Sequence, residues 1–118
     1  MFNILTLNKI SKVGLDKLDP AKYTCSDSVE APDAILVRSA SMHEMTLSPA
    51  TLAIGRAGAG VNNIPVADFG AQGVAVFNTP GANANAVKEL VIAGLLLSSR
   101  KIPAAMDWIK TLKGKGDE

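Results

Sequence analysis

The sequence predicts an α/β domain on a flavodoxin-like parallel sheet with helices on both faces, followed by a long C-terminal helix. Short apolar, β-rich runs alternate with helical segments along the first two thirds of the chain. This alternation implies parallel strands joined by right-handed crossovers. The 118 residues suit one compact domain, and the 47% of apolar residues can supply its core.

The first three strands are predicted at residues 2–7, 23–25 and 34–37. Asn8 punctuates the first run, and the second is the weakest of the three. Between them, Ser11 can cap a helix that ends before Pro20. This part of the chain therefore predicts a strand, a helix and two further strands.

A fourth strand is predicted at residues 53–56, directly before a glycine-rich loop at residues 58–60. A helix follows at residues 65–72, with Pro65 in its first turn and Gly73 at its end. The fifth strand is predicted at residues 74–77. We expect the strand order 2-1-3-4-5, as in flavodoxin-like sheets.

The C-terminal third reads as one helical region over residues 84–112, with Asn83 or Asn85 as its cap. Its residues 90–97 are apolar all round, which predicts burial on more than one side. Pro103 should bend or interrupt the helix. Residues 113–118 are polar and glycine-rich, as in a linker.

The composition excludes several classes of function. The net charge of +1 and the 4% of aromatic residues argue against partners such as nucleic acid or a membrane. The single cysteine, Cys25, cannot form an intramolecular disulfide, which favours a reducing compartment. The chain begins without a signal peptide pattern. We therefore expect a soluble, cytoplasmic protein.

Arg38 and Arg56 each follow a predicted strand directly. In parallel sheets the ligand lies beyond the carboxyl ends of the strands, and an arginine there can bind a carboxylate or phosphate with two hydrogen bonds. The alternative is that each is a surface charge. Two arginines and a glycine loop at one edge favour a small anionic ligand.

The loop Gly58-Ala59-Gly60 can present backbone N–H groups to an anion. It does not fit the dinucleotide fingerprint, because the third glycine of that motif falls on Asn63. A tight turn without a ligand remains the alternative for this loop.

No set of residues in the sequence predicts a complete catalytic site. His43 is the only histidine, and its neighbour Glu44 makes no triad without a placed nucleophile. No cluster has metal-ligand spacing, so no metal site is predicted. From the residues alone, the sequence predicts an anion-binding α/β domain and no reaction.

The segments 36–39, 56–64 and 73–80, with Asn83 and residues 87–90, resemble the D-isomer-specific 2-hydroxyacid dehydrogenases. The resemblance runs from Ile4 to Ile102 in order and spacing. It is greatest to the branch of the family that oxidises 3-phosphoglycerate at the start of serine biosynthesis. It implies an oxidoreductase that uses NAD, binds a small acid such as 3-phosphoglycerate and forms a homo-oligomer.

The resemblance also implies roles for individual residues. The backbone of Gly58, Ala59 and Gly60 would bind the substrate carboxylate, and Ala59 would also contact the cofactor. The rest of the substrate would be surrounded by Arg38, Ser39, Arg56 and Asn83.

The same resemblance implies a domain organisation. Residues 1–84 would be the substrate-binding domain, 85–112 an interdomain helix region, and 113–118 a linker towards a nucleotide-binding domain that this chain lacks. The catalytic arginine, glutamate and histidine of the family lie further along, and His43 does not match that histidine. We therefore expect no turnover by these 118 residues alone.

One departure from the family pattern and one alternative function remain open. Many family members have aspartate where this chain has Asn62, which can change hydrogen bonding in the glycine loop. A stand-alone flavodoxin-like module that binds a small anion or regulates another protein remains the alternative function.

Overall fold

The computed structural model describes residues 1–116 and contains five strands and four helices there. The strands are β1 (Phe2–Leu7), β2 (Tyr23–Ser26), β3 (Ala34–Val37), β4 (Ala53–Arg56) and β5 (Ala75–Phe77). The helices are α1 (Lys12–Leu15), α2 (Val66–Ala71), α3 (Ala84–Ser99) and α4 (Ile102–Lys110). The last two residues of the predicted 113–118 linker lie outside the described residues.

The chain divides into two compact units, Met1–Ala82 and Asn83–Glu118. The first unit contains the whole sheet, and all its strand pairs are parallel. The strand order is β2-β1-β3-β4-β5, as predicted. The prediction of a parallel α/β sheet is confirmed.

One face of the sheet forms the core of the first unit. The strand register places four core-facing residues side by side: Leu5, Ile35, Ile54 and Val76. Met42, Ile64, Phe69 and Val74 pack against this face from the loops and from α2. Because the alternation of side chains along a strand has a period of two, a one-residue slip would expose this whole row.

The opposite face carries smaller residues and is more open. The row in register there is Ile4, Ala34, Ala53 and Ala75. The crossover from β1 to β2 and the crossover from β4 to β5 run in opposite directions along the sheet, so right-handed connections place α1 on this face and α2 on the core face. Helices on both faces are thus present, although α1 has only four residues.

The loops that follow β3, β4 and β5 leave the carboxyl edge of the sheet in the first unit. We call them the β3 loop (residues 38–52), the β4 loop (residues 57–65) and the β5 loop (residues 78–82). The β3 loop contains no helix, and its Met42 is fully buried against the sheet. These loops carry most of the residues predicted to bind a ligand.

The predicted helix starts differ from the structure in detail. Ser11 is the N-cap residue of α1 but makes no capping hydrogen bond through its side chain. Helix α1 ends at Leu15, well before the break predicted at Pro20. Pro65 is the N-cap of α2, and Gly73 adopts a φ of +83° just after that helix, where a residue without a Cβ is favoured.

Residues 83–116 contain two helices, and the interruption predicted at Pro103 is present. The break lies at Lys101, which has left-handed backbone angles (φ 50°). Pro103 follows in the first turn of α4, where its missing N–H is tolerated. Its ring would clash with the carbonyl of residue 99 in a continuous helix, which explains why α3 ends there.

Helix α3 is exposed along its length, including the apolar side chains of Leu90, Leu95 and Leu96. The burial predicted for residues 90–97 is therefore not found in the part of the chain that the structure describes. None of the helices in residues 1–116 combines the length and the apolar character needed to cross a membrane.

Truncation of Met42 tests how firmly the β3 loop is attached to the core. Met42 is completely buried, and removing a buried methionine side chain costs about 2–5 kcal/mol. Urea denaturation of Met42→Ala should show this loss in the free energy of unfolding. Glu44→Ala, exposed in the same loop, should stay within about 0.5 kcal/mol of wild type. Equal losses in the two variants would contradict the packing described.

Candidate functional site

A small cavity opens at the carboxyl edge of β3, β4 and β5. Its volume is about 190 Å³, below the roughly 300–1,000 Å³ of pockets that hold drug-sized ligands. Its walls are Ile10, Leu36, Gly55, Arg56, Ala57, Phe77, Asn78 and Thr79. The size suits part of a small acid rather than a complete dinucleotide.

A second cavity adjoins the first, because both have Ile10 and Ala57 in their walls. Lys9, Ser11 and Arg38 complete the second cavity. The first cavity contains Arg56 and the second contains Arg38. The structure therefore places the two predicted arginines in neighbouring concave sites at one edge of the sheet.

The guanidinium group of Arg56 lies inside the β4 loop. A Cβ atom at Gly58 would overlap this guanidinium, so only glycine leaves room for it. Arg56 Nε is buried and has no hydrogen-bond partner among residues 1–116. A buried donor without a partner costs about 1–3 kcal/mol, more if charged. An anion that accepts a hydrogen bond from this group would remove that cost.

The backbone of the β4 loop is held from the side of β5. The Thr79 N–H donates to the Gly58 carbonyl (3.0 Å), and Asn78 Nδ2 donates to the Ala59 carbonyl (2.8 Å). The N–H groups of Ala59 and Gly60 donate no hydrogen bond within the part of the chain that the structure describes. Both residues are exposed. These two N–H groups are available to bind an anion.

The β3 loop is held on both sides of the Ala40 peptide. Asn8 Oδ1 accepts hydrogen bonds from the N–H groups of Ser39 (3.0 Å) and Ala40. Asn63 Nδ2 donates to the Ala40 carbonyl (2.8 Å), and the Met42 N–H donates to the Asn63 carbonyl (2.8 Å). Because the Ser39 N–H is engaged, its hydroxyl is the group that can contact a ligand.

Two further residues considered in the sequence analysis are His43 and Asn83. His43 is exposed and hydrogen-bonds through Nε2 to the Asn62 carbonyl (2.9 Å), which joins the β3 and β4 loops. Asn83 begins the second unit as the N-cap residue of α3, so its predicted role in binding stays a prediction. Residues 1–116 contain no group of three or more His, Cys, Asp or Glu that could hold a metal ion.

The sequence reasoning did not assign a role to Asn8, Asn63 or Asn78. The structure shows that each binds the backbone of a neighbouring loop. Asn8 and Asn78 directly follow predicted strands at the edge where a ligand is predicted to bind. The position directly after a strand was the available sequence signal for a role at this edge, but an asparagine there also predicts an ordinary turn.

The family model for "D-isomer specific 2-hydroxyacid dehydrogenase, catalytic domain" matches residues 7–111 of the chain. Two similar proteins are D-3-phosphoglycerate dehydrogenases. The one from Mycobacterium tuberculosis is 40% identical over 81 residues, covering 66% of this chain and 15% of that protein. The one from Synechocystis is 32% identical over 126 residues, covering 96% of this chain and 23% of that protein. The chain thus spans less than a quarter of the length of either.

A similar solved structure is the NAD⁺-bound 3-phosphoglycerate dehydrogenase of Entamoeba histolytica. It matches with a TM-score of 0.67 and 23% sequence identity, over 81% of this chain and 38% of that one. At this identity the match supports the fold alone.

Substitution of Gly58 by alanine tests the position of the Arg56 guanidinium. The new methyl group should displace the guanidinium and weaken binding of inorganic phosphate about tenfold or more, because a charge-assisted hydrogen bond is worth about 1.5–3 kcal/mol. Titration calorimetry measures the effect. Gly70→Ala is the matched control, since a Cβ at Gly70 meets open space. Equal phosphate affinity in the two variants would contradict this arrangement.

Proposed function

The chain belongs to the D-isomer-specific 2-hydroxyacid dehydrogenase family, and from that premise we propose that it is the substrate-binding part of an NAD-dependent D-3-phosphoglycerate dehydrogenase. The reaction proposed for the complete enzyme is reversible hydride transfer between NAD and the hydroxyl-bearing carbon of the acid. The similarity to D-3-phosphoglycerate dehydrogenases over most of the chain supports this substrate.

The observation that carries the proposal is the set of donors in and before the β4 loop that have no acceptor within residues 1–116: Arg56 Nε and the N–H groups of Ala59 and Gly60. A guanidinium and backbone N–H groups are both donors, and their natural partner is an anion. Arg38 adds a second positive charge in the adjoining cavity. This chemistry suits a small acid that carries two anionic groups, as 3-phosphoglycerate does.

Each donor has a role in this proposal. The N–H groups of Ala59 and Gly60 bind the carboxylate. Arg56, Arg38 and Ser39 contact the rest of the substrate. Charge-assisted hydrogen bonds fix the orientation of the reacting carbon, which lowers the entropic part of the barrier.

The fit to NAD is partial. Ala59 is exposed in the β4 loop and can contact a cofactor, but the loop lacks the third glycine of a dinucleotide fingerprint. When bound, NAD supplies the acceptor or donor of the hydride. The residues of this chain bind and orient the acid, and no described residue is placed as an acid or base beside the Arg56 cavity. We expect no NADH formation by the 118-residue chain alone.

Substitution of Arg56 tests the proposed substrate. Calorimetry on the 118-residue chain should show weak, saturable binding of 3-phosphoglycerate. Arg56→Ala should weaken it about tenfold or more, because it removes the forked donor from a half-buried site. Arg56→Lys should fall between the two, since lysine keeps the charge but loses the two-pronged geometry.

The control variant is Arg100→Ala, which changes an exposed arginine of the second unit and should leave the affinity unchanged. D-glycerate, which lacks the phosphate, should bind more weakly than 3-phosphoglycerate. Equal affinity for both ligands, or no effect of Arg56→Ala, would overturn the proposal. Tight binding of an unrelated metabolite would instead favour a stand-alone binding module.

A further inference from the structure

Asparagine side chains occur at three points along the ligand-binding edge of the sheet, and each binds the backbone of a neighbouring loop. We call Asn8, Asn63 and Asn78 the carboxyl-edge asparagines. Asn8 directly follows β1, Asn63 lies in the β4 loop, and Asn78 follows β5. Together they connect the chain segments that carry Arg38 and Arg56.

The three amides use different atoms. Asn8 uses its oxygen, which accepts two N–H groups of the β3 loop. Its backbone has a φ of 65°, a left-handed conformation that asparagine and aspartate tolerate better than most residues. Asn63 and Asn78 instead use their nitrogens, each of which donates to a carbonyl at 2.8 Å.

The contact made by Asn78 determines how the β4 loop presents its donors. Asn78 binds the Ala59 carbonyl, and the Thr79 N–H binds the Gly58 carbonyl. Both carbonyl oxygens are thereby engaged by the β5 loop. The N–H groups of Ala59 and Gly60 remain unbonded in residues 1–116, available for an anion.

We propose that the carboxyl-edge asparagines are positioning residues of the substrate site. They hold the β3 and β4 loops in the conformation that keeps the Ala59 and Gly60 N–H groups free and Arg56 in place. They act through backbone groups rather than by touching the substrate. This proposal rests on the proposed function for its ligand, although the loop contacts can be measured without one.

Asn8 uses its amide oxygen and Asn78 its amide nitrogen. Replacing each asparagine by aspartate, which has nearly the same shape, should therefore affect the two contacts differently. Asn78→Asp replaces a donor by a carboxylate oxygen that faces the Ala59 carbonyl and repels it. Asn8→Asp keeps an acceptor for the Ser39 and Ala40 N–H groups. Both variants add one negative charge at the same edge, so each controls for the charge effect of the other.

The experiment compares wild type, Asn78→Asp, Asn78→Ala and Asn8→Asp in the 118-residue chain. Hydrogen exchange without ligand follows the Thr79 amide, whose protection should fall about three- to tenfold in both Asn78 variants and stay near wild type in Asn8→Asp. The affinity for 3-phosphoglycerate should fall by a similar factor in the Asn78 variants, beyond any loss in Asn8→Asp. Urea unfolding separates these effects from a general loss of stability.

A rescue measurement distinguishes positioning from simple disruption. When the pH falls below about 4, the new carboxyl group of Asn78→Asp is protonated and gains an O–H that can donate to the Ala59 carbonyl. The Thr79 protection factor of this variant should then rise towards that of wild type at the same pH, while Asn78→Ala shows no recovery.

Several outcomes would overturn the proposal. Unchanged Thr79 protection in Asn78→Asp would show that the amide does not hold the β4 loop. Equal loss of affinity in Asn78→Asp and Asn8→Asp, with none in Asn78→Ala, would show a charge effect only. Absence of 3-phosphoglycerate binding in wild type would overturn the proposed function, whereas the exchange results would still decide whether Asn78 fixes the loop.

Discussion

Parallel pairing of the five strands forces every strand to end at the same edge of the sheet, because all of them run in one direction. The core-facing row of Leu5, Ile35, Ile54 and the partly buried Val76 fixes the register of that pairing. With the register fixed, Arg38 follows β3 and Arg56 ends β4 at this edge. The location of the candidate site therefore follows from the packing of the core.

The loops at this edge are held in place by hydrogen bonds. Side chains of neighbouring segments satisfy several of their backbone polar groups. The Ala40 peptide is bound at its N–H by Asn8 and at its carbonyl by Asn63. The Ala59 carbonyl is bound by Asn78. Within residues 1–116, Arg56 Nε and the N–H groups of Ala59 and Gly60 remain without acceptors, and these donors are the basis of the proposed anion site.

The sequence was sufficient to predict the strand order and the edge on which the arginines lie. Apolar runs of β-forming residues alternate clearly with helical segments, and the handedness of crossovers then leaves few topologies. The contacts of Asn78 could not be predicted, because they depend on which carbonyls the folded β4 loop presents. The break at Lys101 was also missed: Pro103 predicted an interruption but not the residue that would absorb the change in backbone direction.

The most direct test of the account is an amide-resolved NMR titration of the ¹⁵N-labelled chain with 3-phosphoglycerate. The account predicts saturable shifts of the Ala59 and Gly60 amides and of the Arg56 Nε–H, with one dissociation constant for all three. The amide of Gly70, in α2, should not move. Saturable shifts confined to other parts of the chain, or none at the β4 loop, would contradict the claim that these donors bind the substrate.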